Sequence, residues 1–346
     1  MTAPDGRPAD GRTAEVAARL AALREILDRR GRATAFLVAR RNFSWLTAGG
    51  VNHIVLASEA GEAGILVSRD EAVVIAPNIE ARRVADEELA GTGFAVDAVD
   101  WWGAGGIADE ARRRGGAKLL DDAALEEDLE GLRSRLSAFD QARLAHLGRE
   151  ATRAVEASVA EAQPGMTEAE LVTDLQCRLG DMRAPVLLAA ADDRIVKYRH
   201  PLPTPNPMRR RVMLILVGER WGLHVAVTRF REFEPPNDDL RGRIAAVGEV
   251  QAALHEASRP GATLGEAFAA GQAAYARTGY PDEWKLHHQG GTIAYRGRER
   301  VARPGDATPI VDGMAFAWNP SITGAKVEET FILEPDGGRR IVTRGD

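Results

Sequence analysis

Residues 136–162 are almost free of helix breakers, and Pro164-Gly165 then stops the run sharply. Thr167 and Glu170 follow at capping-box spacing, so a second helix starts at once. This long helix, hard stop and fresh start divide the chain into parts of different character. Upstream, a helix over 13–31 carries Val16, Leu20, Leu23 and Leu27 at helical spacing. Short apolar runs at 35–38, 64–67 and 72–75 then mix with helical stretches near 79–90 and 105–114. Downstream, strand-like runs at 212–217, 314–318 and 326–333 alternate with helices near 238–258 and 264–277. The expected fold class is α/β (α+β). The boundary falls around 133–138, giving a polar tail at 1–12, a small mixed domain at 13–135 and a second domain at 136–346. A length of 346 residues agrees, at about 150 residues per domain.

Composition removes several function classes. The 45 basic and 51 acidic residues leave a net charge of −6, so no basic field exists to hold nucleic acid or anionic lipid. The apolar run at 212–217 is far too short to cross a bilayer, and the polar tail does not read as a signal peptide. The single cysteine, Cys177, cannot form an internal disulfide, which fits a reducing cytoplasm. The expected partner is therefore a small-molecule substrate in a cytoplasmic protein, with neither nucleic acid nor membrane. Trp101 and Trp102 read as core or interface aromatics. Only four lysines occur (Lys118, Lys197, Lys285, Lys326), and three lie within a few residues of the motifs below. Lysine is a compact ammonium and arginine a planar fork, so a retained lysine in an arginine-rich chain invites a question.

Searches for phosphate-binding glycine loops, H-E-x-x-H and C-x-x-C find nothing. His255-Glu256 lacks a second histidine and reads as surface, and Asp192-Asp193 and Asp238-Asp239 read as turn or cap residues. Four other segments are polar in unusual ways. They are Lys197-Tyr198-Arg199-His200-Pro201, Trp221-Gly222-Leu223-His224 leading to Thr228-Arg229, Trp284-Lys285-Leu286-His287-His288-Gln289 leading to Tyr295 and Arg298-Glu299, and Trp318-Asn319-Pro320-Ser321 leading to Lys326-Val327-Glu328-Glu329.

In this order the segments resemble the pita-bread family of creatinases, prolidases and Xaa-Pro aminopeptidases. Residues 41–47 (RNFSWLT) are similar to an element of the creatinase-type amino-terminal domain, and Pro164-Gly165-Met166-Thr167-Glu168 to the family's "PGMTE" turn. Gly313-Met314 with Asn319-Pro320 resembles "G-M-x-x-x-x-E-P", and Lys326-Val327-Glu328-Glu329-Thr330 resembles "x-R-I-E-D-T". The resemblance implies a creatinase-type amino-terminal domain, a pita-bread carboxy-terminal domain and a homodimer. It also implies two metal ions held by two Asp, one His and two Glu. Those five positions fall here on Leu216, Ala226, Gly291, Asn319 and Glu328, and only Glu328 keeps a metal-binding side chain of the expected kind. The usual dinuclear site is therefore expected to be absent, with no metal and no cofactor.

Creatinase is the metal-free member this pattern resembles, and His200-Pro201-Leu202-Pro203-Thr204 looks like the segment of its catalytic histidine. The candidate catalytic residues are His200 as general acid/base, His288 and Glu328. Candidate substrate contacts are His224, Arg229, His287, Gln289, Tyr295, Arg298, Asn319, Ser321 and Lys326. His287 and His288 are adjacent, so on an extended segment at most one should enter the pocket. Glu328 and Glu329 alternate likewise, and Glu329 is expected to pair with Arg229 or Arg298, while Lys326 shares the facing of Glu328. The expected activity is C–N bond hydrolysis, without metal, on a small polar amine, amide or amino-acid-derived substrate. Two alternatives stand beside it: a non-catalytic binding protein, and a metallopeptidase with rearranged ligands such as His224, His288 and Glu328.

Overall fold

The computed structural model describes residues 11–116 and 118–345. Most of the expected tail lies outside them, and Arg12 already opens the first helix. The chain divides into two compact units, Met1–Arg133 and Ser134–Asp346. Among the described residues no helix is long and apolar enough to cross a membrane.

The first unit runs α1 (Arg12–Arg29), β1 (Thr34–Ala39), α2 (Arg40–Leu46), β2 (Ala60–Ser68), β3 (Ala72–Pro77), α3 (Asn78–Arg83) with a π-helical turn Val84–Glu88, β4 (Ala95–Val99), α4 (Gly106–Gly115), β5 (Leu120–Asp121) and α5 (Glu126–Ser134). Its sheet has the order β4-β3-β2-β1-β5, antiparallel in the middle and parallel at both edges. Phe36, Leu66, Val73 and Ile75 bury one sheet face against Ala111 of α4. Trp101 and Trp102 do not join that core. They pack edge to face and are 62% and 64% exposed, because they sit on the turn after β4, beyond the end of the paired strand.

The second unit continues with α6 (Ala138–Glu161), α7 (Glu168–Arg178), β6 (Arg183–Ala191), α8 (Asp193–Lys197), β7 (Arg211–Arg220), β8 (Leu223–Glu232), α9 (Asp238–Ala257), α10 (Leu264–Arg277), a 3₁₀ turn Glu283–Leu286, β9 (Gly290–Thr292), β10 (Arg300–Val301), β11 (Ala315–Trp318), β12 (Ser321–Ile322), β13 (Ala325–Lys326), β14 (Glu329–Leu333) and β15 (Arg339–Ile341). Ser137 caps α6, and the capping box of Thr167 and Glu170 opens α7 as the spacing predicts. Thr263 and Glu266 repeat the device on α10. Asp192 accepts the backbone N–H groups of Arg209, Arg210 and Arg211, the turn role expected of it.

Strands β6-β7-β8 form an antiparallel sheet, and α6 packs on β7 and β8. A second sheet has the order β10-β9-β11-β14-β15, with the hairpin β12-β13 beside it and α9 and α10 against it around Phe316, Trp318, Phe331 and Tyr275. His255 is not the surface residue its sequence suggests. Its ring lies 4.6 Å from that of Phe331, and burial pushes its pKa down to about 4. The run at 326–333 is also not one strand. It breaks at Val327-Glu328, where the Thr228 N–H of β8 donates to the Glu328 carbonyl (3.2 Å) and couples the two sheets. That break holds the glutamate on which the site is built.

Candidate active site

Glu328 is buried, only 2% exposed. Lys326 Nζ lies 2.9 Å from one oxygen, which also accepts from the Thr228 hydroxyl at 2.7 Å. Arg298 Nη2 donates to the other oxygen at 2.7 Å. Burial alone would push the Glu328 pKa up, but the two flanking cations outweigh it and hold the carboxyl well below its ordinary range. One anion and two cations leave this buried group with a net charge of +1. Arg298 spends another N–H on the Gly297 carbonyl, while its Nε–H is buried without a partner. Such a group is costly to bury, and an unmet donor beside a net positive charge suits an anionic ligand group.

A second cluster sits within electrostatic range of the first. His200 lies in the loop after α8, and His287 and His288 lie between the 3₁₀ turn and β9. The rings of His287 and His288 stack with centroids 4.5 Å apart, and His200 lies 4.7 Å from His287 and 5.8 Å from His288. The expectation that adjacent histidines face apart is therefore overturned. His287 Nδ1 turns back onto the carbonyl of His288, and His288 Nδ1 accepts the N–H of Gly290 at 3.2 Å. Gly290 makes this possible with φ +92°, and a Cβ there would come 2.1 Å from the Ala317 carbonyl oxygen. His287 is buried, and its pKa is pushed down to about 3. His200 and His288 keep part of their rings open to solvent. Both are also shifted downward, first by desolvation and then by charges that include Lys326 and Arg298.

Asn319 is buried at the end of β11, with its Oδ1 unpartnered. The Ser321 hydroxyl accepts from Arg199 at 3.4 Å, and Arg199 is itself paired with Glu283 at 2.7 Å. The remaining expected contacts are engaged elsewhere. Gln289 is scaffold: its amide donates to the Trp284 and His287 carbonyls, and its oxygen accepts from the Tyr275 hydroxyl. The Tyr295 hydroxyl donates to buried Asp140 at 2.8 Å. Arg229 reaches Glu156 and the Thr343 carbonyl, with Glu329 at 3.9 Å. His224 is a core histidine between the Ala294 carbonyl and Glu219. Sequence reasoning passed over Thr228, Arg199 and Tyr275. Thr228 had a signal, the only hydroxyl inside an apolar strand run; Tyr275 had none beyond its place in an alanine-rich helix.

The model for metallopeptidase family M24 matches residues 142–340, more than half of the chain. The chain belongs to this family. A probable dipeptidase PepE from Mycobacterium bovis is 25% identical over 185 residues, covering 50% of this chain and 49% of that protein. The chain thus spans about half the length of the curated relatives it matches. Two solved structures share the pita-bread fold. The prolidase of Pyrococcus horikoshii has TM-score 0.75 and 17% identity, covering 95% of this chain and 99% of its own. Dipeptidase PepE of Mycobacterium ulcerans has TM-score 0.75 and 19% identity, covering 96% and 97%.

Metal is what the M24 family name implies, and the residues at the positions assigned by the resemblance do not fit the dinuclear donor set expected from it. Leu216 is fully buried in the β7–β8 ladder, and its pairing with Val227 turns it to the face opposite Ala226 and Thr228, away from Glu328. Ala226 has no side-chain donor, and its backbone N–H is taken by the Thr330 hydroxyl at 2.9 Å. Gly291, with φ +152°, could not carry a histidine as built, because its Cβ would lie 2.1 Å from the Arg300 carbonyl oxygen. Glu328 already holds two cations. The rearranged set His224, His288 and Glu328 does not form a group either. Among the described residues, the histidine, cysteine and carboxylate side chains able to converge on a cation are His200, His287 and His288, with one ligand atom from each within 4.8 Å of the others.

Proposed function

We propose that this M24 chain hydrolyses a C–N bond in a small amino-acid-derived amide or amine without metal. The observation that carries the proposal is the saturation of Glu328 by Lys326, Arg298 and Thr228 beside three imidazoles. Two organic cations stand on the glutamate where the family uses metal charge, and they leave the site with a net positive charge. Arg298 and Lys326 bind the anionic group of the substrate, and Glu328 holds both of them in place. His200 takes a proton from water attacking the C–N carbon and returns it to the departing nitrogen. His288 donates to the oxygen on which charge develops.

The test is turnover of N-acyl and N-carbamoyl amino acids and dipeptides in excess chelator. Amine release that persists in chelator and disappears in a folded His200→Ala variant supports the proposal. Activity lost on chelation and restored by manganese or zinc, or retained by His200→Ala, contradicts it. A second reading, a relocated metal centre on His200, His287 and His288, is favoured by the closeness of their ligand atoms. The two readings assign different roles to the ring nitrogens.

A further inference from the structure

A neutral imidazole carries one proton and one lone pair, so each nitrogen's partner dictates the other nitrogen's role. His287 Nδ1 faces the carbonyl oxygen of His288, which only accepts. The proton of His287 is therefore on Nδ1, and its lone pair is on Nε2. That lone pair lies 3.1 Å from His200 Nε2. Two lone pairs cannot face each other at hydrogen-bond distance, so His200 carries its proton on Nε2 and donates it to His287. His288 Nδ1 accepts from the Gly290 N–H, which places its proton on Nε2.

We infer that His287 is a positioning residue that fixes the tautomer of His200, leaving His200 Nδ1 as the free base and His288 Nε2–H as a free donor. This deepens the proposed function and rests on the reading that His200 moves the proton. In that step the new N–H bond forms at Nδ1, while the electron pair of the broken O–H bond stays on the attacking oxygen. The resulting imidazolium keeps its Nε2–H on His287, so the positive charge remains on His200 until the same proton passes to the leaving nitrogen. His287 acts as the third member of a nucleophile–base–orienter arrangement does, but with a neutral ring and a carbonyl behind it. The same bonds count against a cation on the three rings. A tri-imidazole site needs three converging lone pairs, whereas two of the three Nε2 atoms carry protons and the third already accepts one.

Long-range nitrogen–proton correlation spectra of the full chain, with histidine labelled in ¹⁵N, read tautomers directly. The expected result is a single Nε2–H form for His200 and for His288, and a single Nδ1–H form for His287. In His287→Leu, His200 should lose its single form and show a mixture, while in His287→Gln an amide oxygen can accept and should restore it. Zinc alone, titrated into the wild-type chain, should leave all three patterns unchanged at equimolar concentration. An Nδ1–H form of His200 in the wild type overturns the inference, and that spectrum needs no variant to fold. So does a His200 pattern indifferent to His287→Leu, or one equivalent of zinc shifting all three rings together. Correct tautomers with full turnover in His200→Ala would instead retain the positioning role and remove the proposed chemistry.

Discussion

Two walls of the second unit carry the positions that the family resemblance assigns to metal ligands, and their residues differ in kind. On β7 and β8 those positions are Leu216 and Ala226, both fully buried in an apolar ladder, where Ala226 shares the face of Thr228 and Leu216, paired with Val227, lies on the other face. Burying a leucine side chain contributes about 2 to 3 kcal/mol, so this wall has become ordinary core. On the opposite wall, β9, β11 and the break between β13 and β14 hold Asn319, Lys326 and Glu328, with Arg298 reaching in. A buried triad of charges gains little stability over apolar side chains of the same volume. One wall follows what packing rewards; the other keeps charges that packing alone would replace. The comparison locates the working surface.

The largest expected effect comes from removing the anion from the polar wall. Glu328→Leu strands two buried cations and should cost about 3–5 kcal/mol in urea unfolding. Replacing the whole triad (Glu328→Leu, Lys326→Met, Arg298→Leu) should recover most of that loss while abolishing turnover. A triple variant as unstable as the single one would mean that the charges serve the fold. Next comes Gly291→His, which restores a ligand type on a backbone that cannot carry it. It should lose about 2 to 3 kcal/mol in the same measurement and gain no metal affinity by calorimetry. A variant that is stable and binds metal would erase the contrast between the walls.

The pH dependence is of similar size for each ring that takes part. His287 and His255 titrate at about 3 and about 4 in the folded chain, below the usual 6.5, so the unfolded chain binds more protons between those values. Stability should be complete above pH 7 and fall as pH drops through 6.5 toward 4, by about 2 kcal/mol for each ring at pH 5. Thermal unfolding across that range should show uptake of about one proton for each of these rings, with His288, also pushed down to about 4, adding to it. Flat stability from pH 7 to 5 would mean that these rings titrate in the folded chain as they do in the unfolded one. The smallest effect is Arg229→Ala. Its side chain pairs with Glu156 and donates to the Thr228 and Thr343 carbonyls but to no side chain of the cluster, so a loss of about 1 kcal/mol with unchanged turnover is expected.

Local patterns in the sequence were the most legible. The capping box at Thr167 and Glu170, the stop at Pro164-Gly165 and the apolar run of β7 each follow from contacts a few residues long. The four polar segments also named most of the side chains that meet, including the Lys326–Glu328 pair at 2.9 Å. What escaped depended on backbone turns and distant partners. Both His287 and His288 join one cluster because Gly290 takes a left-handed conformation that alternation does not anticipate. Tyr295, Gln289, His224 and Arg229 look like site residues in sequence because they are polar in apolar surroundings. The fold gives each of them partners of its own, which for Tyr295 is the buried Asp140, 155 residues away. Arg298 was placed near substrate, but its salt bridge to Glu328 spans 30 residues and only the folded loop reveals it.

Metal content of the purified chain, measured by elemental mass spectrometry after growth in metal-replete medium and dialysis without chelator, bears most directly on a site built from organic cations. The organic-cation site predicts zinc, manganese, cobalt and iron each well below one equivalent per chain. One or two equivalents of any of them would contradict it and return the three histidines, or the family's own ligand positions, to the role of a metal centre.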